Sequence, residues 1–332
     1  MKSVRKFMRT LVAAVGVGVG VGVGVLSAAA HAAYPDKPIR IVVGFPPGQA
    51  TDMIARIAAK KLQDTLGQPV VVDNKPGAAG IIGSESVAKA PADGYTLLVG
   101  SSGTMAINPS LYAKLPYHPL KDFVPVSILS VVPLFLAVNP QVPVQTAADL
   151  VKLAKASPGK INYGSGGSGV TSHLTMELLK NQLGMDLTHV PYKGSPAAVT
   201  DLIGGQISAM IDTGPALLPH MRTGKLRILA VASEKRNAAA PNVPTMEEAG
   251  LGHFVAPAWI GLAAPKGTPK EVVDTLYKAL ATGWGDAADV KEQLNALGAE
   301  TALMKPDEFA KYIQSEIDKW AVAVKLSGAR VD

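Results

Sequence analysis

The sequence predicts an α/β protein of two lobes with a ligand cleft between them. After residue 33, short apolar runs rich in Val and Ile alternate with amphipathic runs of helical period, which is typical of a mostly parallel sheet covered by helices. The alternation forms two series, separated by an extended, proline-punctuated stretch at 123–140. The roughly 300 residues that follow the N-terminal segment suffice for two lobes, each with its own core.

The first 32 residues are predicted to be an export signal. They begin with four cations, Lys2, Arg5, Lys6 and Arg9. An uncharged stretch at 11–30 follows and leads into Ala30-His31-Ala32, whose small residues mark a cleavage site, so we expect cleavage near Ala33. A membrane anchor is the alternative, but the alternating Val and Gly at 15–25 form a weak helix.

Composition excludes several classes of protein. Cysteine is absent, which rules out disulfides, thiolate metal sites, cysteine nucleophiles and a lipidated cysteine. Removing the signal leaves 28 lysine and arginine residues (32 minus 4) against 26 acidic residues, without a basic run. This balance offers no electrostatic footprint for nucleic acid. We therefore expect a soluble, unlipidated periplasmic protein that is a monomer.

The first series of elements starts with a clear unit of strand, turn and helix. The strand is expected at 39–44 and the helix at 51–66, where Ile54, Ala58 and Leu62 line one face with Leu66. The same theme then repeats with a strand at 70–73, a turn at 74–80, a helical run ending at 89 and a strand at 95–100.

The second series defines the predicted domains. Its helices are expected at 147–156, 170–183 and 196–204, and its strands at 161–163, 187–192, 207–212 and 226–232. The apolar run 131–138 is suited to cross between lobes, and a strand at 259–264 could carry the chain back before helices at 270–281, 290–297 and 306–326. This predicts a discontinuous first domain (33–132 plus 258–332) and a second domain (133–257) that close over ligand about a hinge.

A glycine-rich run at 163–169 spells G-x-G-x-x-G at Gly164, Gly166 and Gly169, between a strand and a helix. A dinucleotide site would also need an acidic residue at the end of the next strand, where Tyr192 and Lys193 stand instead. The backbone N–H groups and the helix start could still hold an anion. We favour a carboxylate over a nucleotide, and a purely structural turn is the alternative.

No catalytic or metal motif is spelled out. Neither Ser165 nor Ser168 has the flanking glycines of a nucleophile elbow, and no Walker sequence occurs. The six histidines form no metal-binding pair. His173 is the one to watch, with a polar helix-start residue as the alternative. The prediction is a protein without enzymatic activity, cofactor or metal.

Two further turns, 45–52 and 74–80, resemble anion cradles, because each lies between a strand and a helix and contains glycine. Hydroxyl residues follow a third strand, and ligands bind at the carboxyl ends of parallel strands. For Asp52 the alternative is a helix cap. The predicted ligand-binding residues are Pro47, Gly48, Gln49, Ala50, Thr51, Asp52, Gly77, Ala78, Ser101, Ser102, Thr104, Ser165, Gly166, Ser168, Thr171, Lys193, Asp212 and Thr213.

Several motifs together resemble the Bug (TctC-type) family, the extracytoplasmic receptors of tripartite tricarboxylate transporters. They include Tyr34-Pro35-Asp36-Lys37-Pro38, Asn74-Lys75-Pro76-Gly77-Ala78, Pro191-Tyr192-Lys193-Gly194 and Ala264-Pro265-Lys266-Gly267-Thr268-Pro269, spread over nearly the whole chain after the signal. The resemblance implies a type II periplasmic binding-protein fold. It also implies that the first two turns hold one ligand carboxylate, largely through backbone N–H groups and water.

The resemblance further implies delivery of a dicarboxylate, tricarboxylate or aromatic carboxylate to a membrane permease. Gln49 and Ala79 stand where the family has glycine, so either the turns tolerate these residues or the Gln49 side chain reaches the ligand. Two other functions remain open: a ligand-sensing receptor of a two-component system and a secreted hydrolase that uses serine or histidine.

Overall fold

The computed structural model describes residues 34–285 and 287–327, so the predicted export signal lies outside the described residues. Within them, the strands form two sheets. The first sheet has the order β11-β4-β10-β3-β1-β2 and the second β7-β6-β8-β5-β9. We call the residues around the first sheet the first lobe and those around the second sheet the second lobe.

The first lobe begins as predicted, with parallel strands joined by helical crossovers. Strands β1 and β2 pair in parallel, as do β1 and β3, while β10 runs antiparallel to both β3 and β4. Parallel neighbours need long connections, which α1 and α2 supply. The strands of this sheet are β1 (Ile39–Val43), β2 (Val70–Asn74), β3 (Thr96–Ser101), β4 (Phe123–Val132), β10 (Ala258–Pro265) and β11 (Glu300–Thr301).

The second lobe mixes parallel and antiparallel pairs. Strand β6 runs parallel to β7 and β8, and β5 runs antiparallel to β8 and β9. Its strands are β5 (Leu134–Val138), β6 (Asn162–Ser165), β7 (Thr188–Pro191), β8 (Ala209–Thr213) and β9 (Arg227–Val231).

The helices lie mostly where the periodicity predicts them. They are α1 (Ala50–Leu66), α2 (Ile81–Ala88), α3 (Asn108–Leu111), α4 (Ala147–Ala156), α5 (Thr171–Leu183), α6 (Ser195–Ile203), α7 (Gly214–Arg222), α8 (Lys270–Gly283), α9 (Ala288–Ala296) and α10 (Pro306–Ser327). A 3-10 turn at Ala78–Gly80 and a π-helical turn at Gly103–Ile107 precede α2 and α3. None of the helices in the described ranges is long and apolar enough to cross a bilayer.

The chain changes sheet at Pro133, which alone separates the end of β4 from the start of β5. It returns to the first sheet with β10. The predicted domain boundaries, 132/133 and 257/258, stay a prediction, because the described residues cluster as one compact unit.

The helices anchor the sheets through continuous apolar faces. In α1 the residues Ile54, Ala58 and Leu62 are fully buried, which confirms the stripe predicted from the sequence, and Leu66 packs partly buried at its end. Burying a leucine or isoleucine side chain stabilises a fold by about 1.5–3 kcal/mol. This packing fixes the start of α1, which lies at the candidate site.

Candidate ligand-binding site

A cavity lies between the two lobes, at the carboxyl ends of several strands. Its volume is about 470 Å³, including a part that opens to solvent. A volume of this size suits a small-molecule ligand. The lining residues are Phe45, Gln49, Ala50, Thr51, Ser101, Gly103, Leu134, Val170, Thr171, Ser172, Ser195, Asp212, Thr213, Ala258 and Ile260.

Four helices start at this cavity. Helix α1 begins at Ala50, α5 at Thr171, α6 at Ser195, and α7 directly after Thr213. None of these four starts has a side-chain hydrogen bond from its N-cap residue. The N–H groups of a first helical turn have no partner within the helix, and the helix dipole adds partial positive charge there. The cavity is thus suited to an anion although its described lining contains no Lys, Arg or His.

The buried carboxylate of Asp52 fixes the turn before α1 through hydrogen bonds. Its carboxylate accepts the N–H of Gly48 at 2.9 Å, the Nε of Arg56 at 3.1 Å and the Nδ2 of Asn74 at 2.9 Å. Burial alone would raise the pKa of Asp52, but the hydrogen bonds from Arg56, Gly48 and Asn74 outweigh it and hold the pKa below its usual range. Asp52 lies outside the cavity lining, as do the exposed Pro47 and Gly48.

Gln49 lines the cavity with a polar atom that has no partner. Its Oε1 is buried and accepts no hydrogen bond. Leaving a buried polar atom unsatisfied costs about 1–3 kcal/mol. A donor on a ligand or a bound water would satisfy it, which favours the alternative that the Gln49 side chain reaches the ligand.

The second turn lies behind the cavity. Its residues Gly77, Ala78, Ala79 and Gly80 all have positive φ, with values of 136°, 46°, 52° and 86°. A side chain at Gly80 would come within 3.1 Å of the Phe45 ring, which itself lines the cavity. The turn therefore tolerates alanine in a conformation that glycine prefers, and Gly77 and Ala78 lie outside the cavity lining.

Of the predicted hydroxyl residues at the end of β3 and directly after it, only Ser101 lines the cavity, and Thr104 lies outside the lining. Ser101 lines the cavity, and its backbone N–H donates to Thr104 Oγ1 at 3.0 Å. Ser102 lies outside the lining, with its Oγ 3.0 Å from Thr171 Oγ1 of the second lobe. The two lobes thus touch through a direct hydrogen bond beside the cavity.

The glycine-rich run places Thr171 at the cavity, but Ser165, Gly166 and Ser168 lie outside its lining. Ser165 is fully buried, and its Oγ lies 2.7 Å from His189 Nε2 and 3.0 Å from the Gly167 carbonyl oxygen. A serine and a histidine at this distance resemble the pair of a hydrolase. Neither Ser165 nor His189 belongs to the cavity lining, and the hydrogen bonds between Ser165 and Gly167 support the loop.

Two stacked histidines hold this run in place. The rings of His173 and His189 have centroids 4.0 Å apart, and His173 Nδ1 accepts the N–H of Gly169 at 3.1 Å. Burial lowers the pKa of His173, and burial together with His173 and Lys180 lowers the pKa of His189 to about 3. Both rings are therefore neutral near pH 7, and His173 serves the helix start.

The end of β8 brings Asp212 and Thr213 to the cavity. Asp212 is buried, and burial raises its pKa, although hydrogen bonds from Ser195, Thr213 and Ser172 oppose that rise. Lys193 is exposed and lies outside the lining.

The lining combines predicted and unpredicted residues. Eight members were not selected from the sequence: Phe45, Gly103, Leu134, Val170, Ser172, Ser195, Ala258 and Ile260. Ser172 and Ser195 had a usable signal, because each lies in the first turn of a helix that follows a glycine. The apolar members had none. No group of metal-ligating side chains occurs in residues 34–285 and 287–327. Ligand contact by the predicted residues stays a prediction.

Comparison with known proteins gives consistent matches. The sequence profile of the tripartite tricarboxylate transporter family receptor matches residues 54–328. Protein BugT of Bordetella pertussis is 42% identical over 299 residues, which cover 90% of this chain and 91% of that protein.

Solved structures agree with this likeness. The structure of R. palustris Rpa4515 with adipate matches this chain with a TM-score of 0.87 and 36% sequence identity. The match covers 90% of this chain and 100% of that chain. MatC from Rhodopseudomonas palustris with bound malate gives a TM-score of 0.82 at 35% identity, covering 88% of this chain and 100% of that chain. The predicted two-lobed α/β fold is confirmed.

Proposed function

Because the chain belongs to the tripartite tricarboxylate transporter receptor family, the Bug (TctC-type) family, we propose that it captures a small organic carboxylate between its lobes. The observation that carries this proposal is the convergence of four helix starts on one cavity between the lobes. The adipate and malate bound to two relatives support a carboxylate as the ligand class.

The first-turn N–H groups of α1 and α5 are the proposed donors to the carboxylate. Ala50 and Thr51 lie on the first-lobe wall, and Thr171 and Ser172 lie on the second-lobe wall. A helix start stabilises a negative charge by about 0.3–1 kcal/mol at a surface and by up to ~2 kcal/mol when partly buried. Such a site would favour anions over neutral sugars and would need neither a metal nor a nucleotide.

Closure of the lobes is the proposed mode of capture. Each wall supplies only part of the hydrogen bonds that a carboxylate needs, so a ligand that contacts both walls stabilises the closed state. The contact between Ser102 and Thr171 is one that such closure would make. The closed receptor would then deliver its ligand to the permease subunits of a tripartite transporter.

We extend the proposal to the cellular location of the protein and to its lack of catalytic activity. Export with cleavage near Ala33 would release the protein into the periplasm, without a lipid anchor. The protein would act as a monomeric receptor and not as an enzyme, since the Ser165–His189 pair lies outside the cavity lining.

The test is a thermal-shift screen of the purified protein, followed by calorimetry. Monocarboxylates, dicarboxylates, tricarboxylates and aromatic acids are compared with neutral sugars, after treatment with a chelator. At least one carboxylate should raise the melting temperature, because it binds only the folded state. It should bind with one-to-one stoichiometry and be recovered unchanged. Binding that is lost on chelation, tight binding of a sugar, or conversion to a product would contradict the proposal.

A further inference from the structure

The second-lobe wall of the cavity carries a carboxylate of its own. Asp212, near the end of β8, is only 3% exposed and lines the cavity. It is the one ionisable side chain among the described lining residues. Because Asp212 repels a second negative charge, it restricts which other functional groups an anionic ligand can place beside it.

The hydrogen bonds around Asp212 come from neighbouring donors. Its Oδ2 accepts Ser195 Oγ at 2.7 Å, and its Oδ1 accepts the N–H of Thr213 at 2.7 Å and the Oγ1 of Thr213 at 3.1 Å. The hydroxyl of Ser172 adds a further hydrogen bond. Each hydroxyl has a single hydrogen. While Asp212 is ionised, these hydrogens point at it, and the hydroxyls present lone pairs to the cavity.

The cavity therefore offers two kinds of hydrogen-bonding group. At the starts of α1 and α5, backbone N–H groups remain for a ligand anion, although the hydroxyl of Ser172 in the first turn of α5 already donates to Asp212. At the starts of α6 and α7, Asp212 already supplies the negative charge, because Ser195 begins α6 and Thr213 precedes α7. The backbone N–H groups donate hydrogen bonds, whereas Asp212 and the hydroxyls bonded to it accept them.

We propose that Asp212 selects the second polar group of the ligand. The ligand presents one carboxylate to the starts of α1 and α5, and a hydrogen-bond donor, a hydroxyl or an ammonium group, to Asp212 and its hydroxyls. This inference rests on the proposed function, since it takes carboxylate binding in this cavity as given. It defines the ligand class as hydroxy acids and amino acids.

A second carboxylate on the ligand can contact Asp212 only if the complex takes up one proton. Two carboxylates in contact, one of them the buried Asp212, cannot both stay ionised. A proton taken from solvent stays on Asp212 Oδ2, and this O–H donates a hydrogen bond to Ser195 Oγ. The hydrogen of Ser195 is then free to be donated to the ligand carboxylate. Burial already raises the pKa of Asp212 toward this uptake.

Several other ionisable side chains lie on the elements around β8. Asp212 forms no hydrogen bond with any of them in the described chain. The elements packed on β8, and α1 across the cavity, carry His173, Glu177 and Lys180 on α5, Tyr163 on β6, Asp201 on α6, His220 and Arg222 on α7, and Asp52 and Arg56 on α1.

Ligands of equal length provide the test. Calorimetry at pH 8 compares 4-hydroxybutyrate and 4-aminobutyrate with succinate and butyrate, and the six-carbon analogues 6-hydroxyhexanoate and 6-aminohexanoate with adipate. Wild-type protein should bind the hydroxy or amino acid at least tenfold more tightly than the dicarboxylate. Binding of the dicarboxylate should take up close to one proton, read from the dependence of the enthalpy on buffer ionisation.

Variants assign the effect to Asp212. In Asp212→Asn the preference and the proton uptake should both disappear, while the exposed Asp186→Asn should behave as wild type. The proton measurement on wild type stands even if Asp212→Asn fails to fold. A dicarboxylate that binds wild type at pH 8 as tightly as its hydroxy analogue, without proton uptake, would overturn this inference and leave the proposed function intact. Failure of every carboxylate to bind would refute both.

Discussion

Ala78 and Ala79 hold backbone conformations that glycine adopts without steric cost. Their φ values are 46° and 52°, and they lie between two glycines that also have positive φ. For a residue with a Cβ, a left-handed conformation costs about 1–2 kcal/mol. The surrounding turn, packed on Gly44 and Phe45, holds this strain next to the cavity wall.

Replacing Ala79 by glycine should therefore stabilise the protein. The gain should be about 0.5–1 kcal/mol, because glycine relieves the strain but loses more entropy on folding. The free energy of unfolding in urea measures it. As a control, Ala321→Gly in the exposed middle of α10 should destabilise by about 1 kcal/mol. A loss of stability in Ala79→Gly would show that the turn is not strained as described.

Individual site residues could be predicted from the sequence only in part. Gln49, Ala50 and Thr51 were identified because a glycine turn before an amphipathic helix is visible in the sequence. Asp52 shares that turn, but whether its carboxylate faces the ligand or the loop depends on Arg56 and Asn74, and Asn74 comes from another strand. No local pattern encodes that choice.

Elements with a strong period were predicted well. Helix α4 has the predicted bounds, and α1 differs by one residue, because long amphipathic runs specify their own buried faces. Helix α7 was missed because it begins with Gly214-Pro215 and contains Pro219, which read as turn signals. Strand β11 is two residues long and depends on pairing with β4, so the sequence alone carries no sign of it.

The stacked rings of His173 and His189 should make the stability of the folded protein sensitive to acid. His189 has a folded-state pKa of about 3, below the usual value of 6.5, so the unfolded chain takes up its proton first as the pH falls. Stability should therefore decline below pH 6.5 and continue to decline toward pH 3. The buried ring of His173 acts in the same direction.

The variant His189→Phe tests this account, because phenylalanine keeps a stacked ring and removes the titrating group. The slope of the unfolding free energy against pH, measured between pH 6 and pH 4, should decrease by roughly one proton. Loss of the bond to Ser165 should lower stability by a similar amount at every pH. An unchanged slope would mean that His189 does not stay neutral in the folded protein.

At the scale of the whole molecule, the two-lobed architecture was predictable because the alternation of elements occurs twice and the chain returns to its first sheet. The cavity was predictable only as a region. Leu134, Ala258 and Ile260 reach it from strands whose sequences read as ordinary buried core, and only their place between the two sheets distinguishes them.

Lobe closure predicts an effect of Ser102, which lies outside the cavity. Ser102→Ala removes its bond to Thr171, so affinity for the carboxylate should fall about twofold to tenfold, as expected for one hydrogen bond. Calorimetry measures the affinity, and Ser86→Ala is the control, because this half-buried serine of α2 also loses one hydrogen bond but lies outside the cavity lining. Equal affinities in wild type and Ser102→Ala would mean that this contact does not contribute to closure.

The central claim is that a ligand carboxylate binds at the starts of α1 and α5, between the lobes. A crystal structure with the tightest carboxylate from the screen tests it most directly. We expect the carboxylate oxygens about 2.7–3.2 Å from first-turn N–H groups of Ala50 or Thr51 and of Thr171 or Ser172, directly or through one water, with no metal. A carboxylate held by lysine or arginine side chains, or bound outside the cavity, would contradict the account.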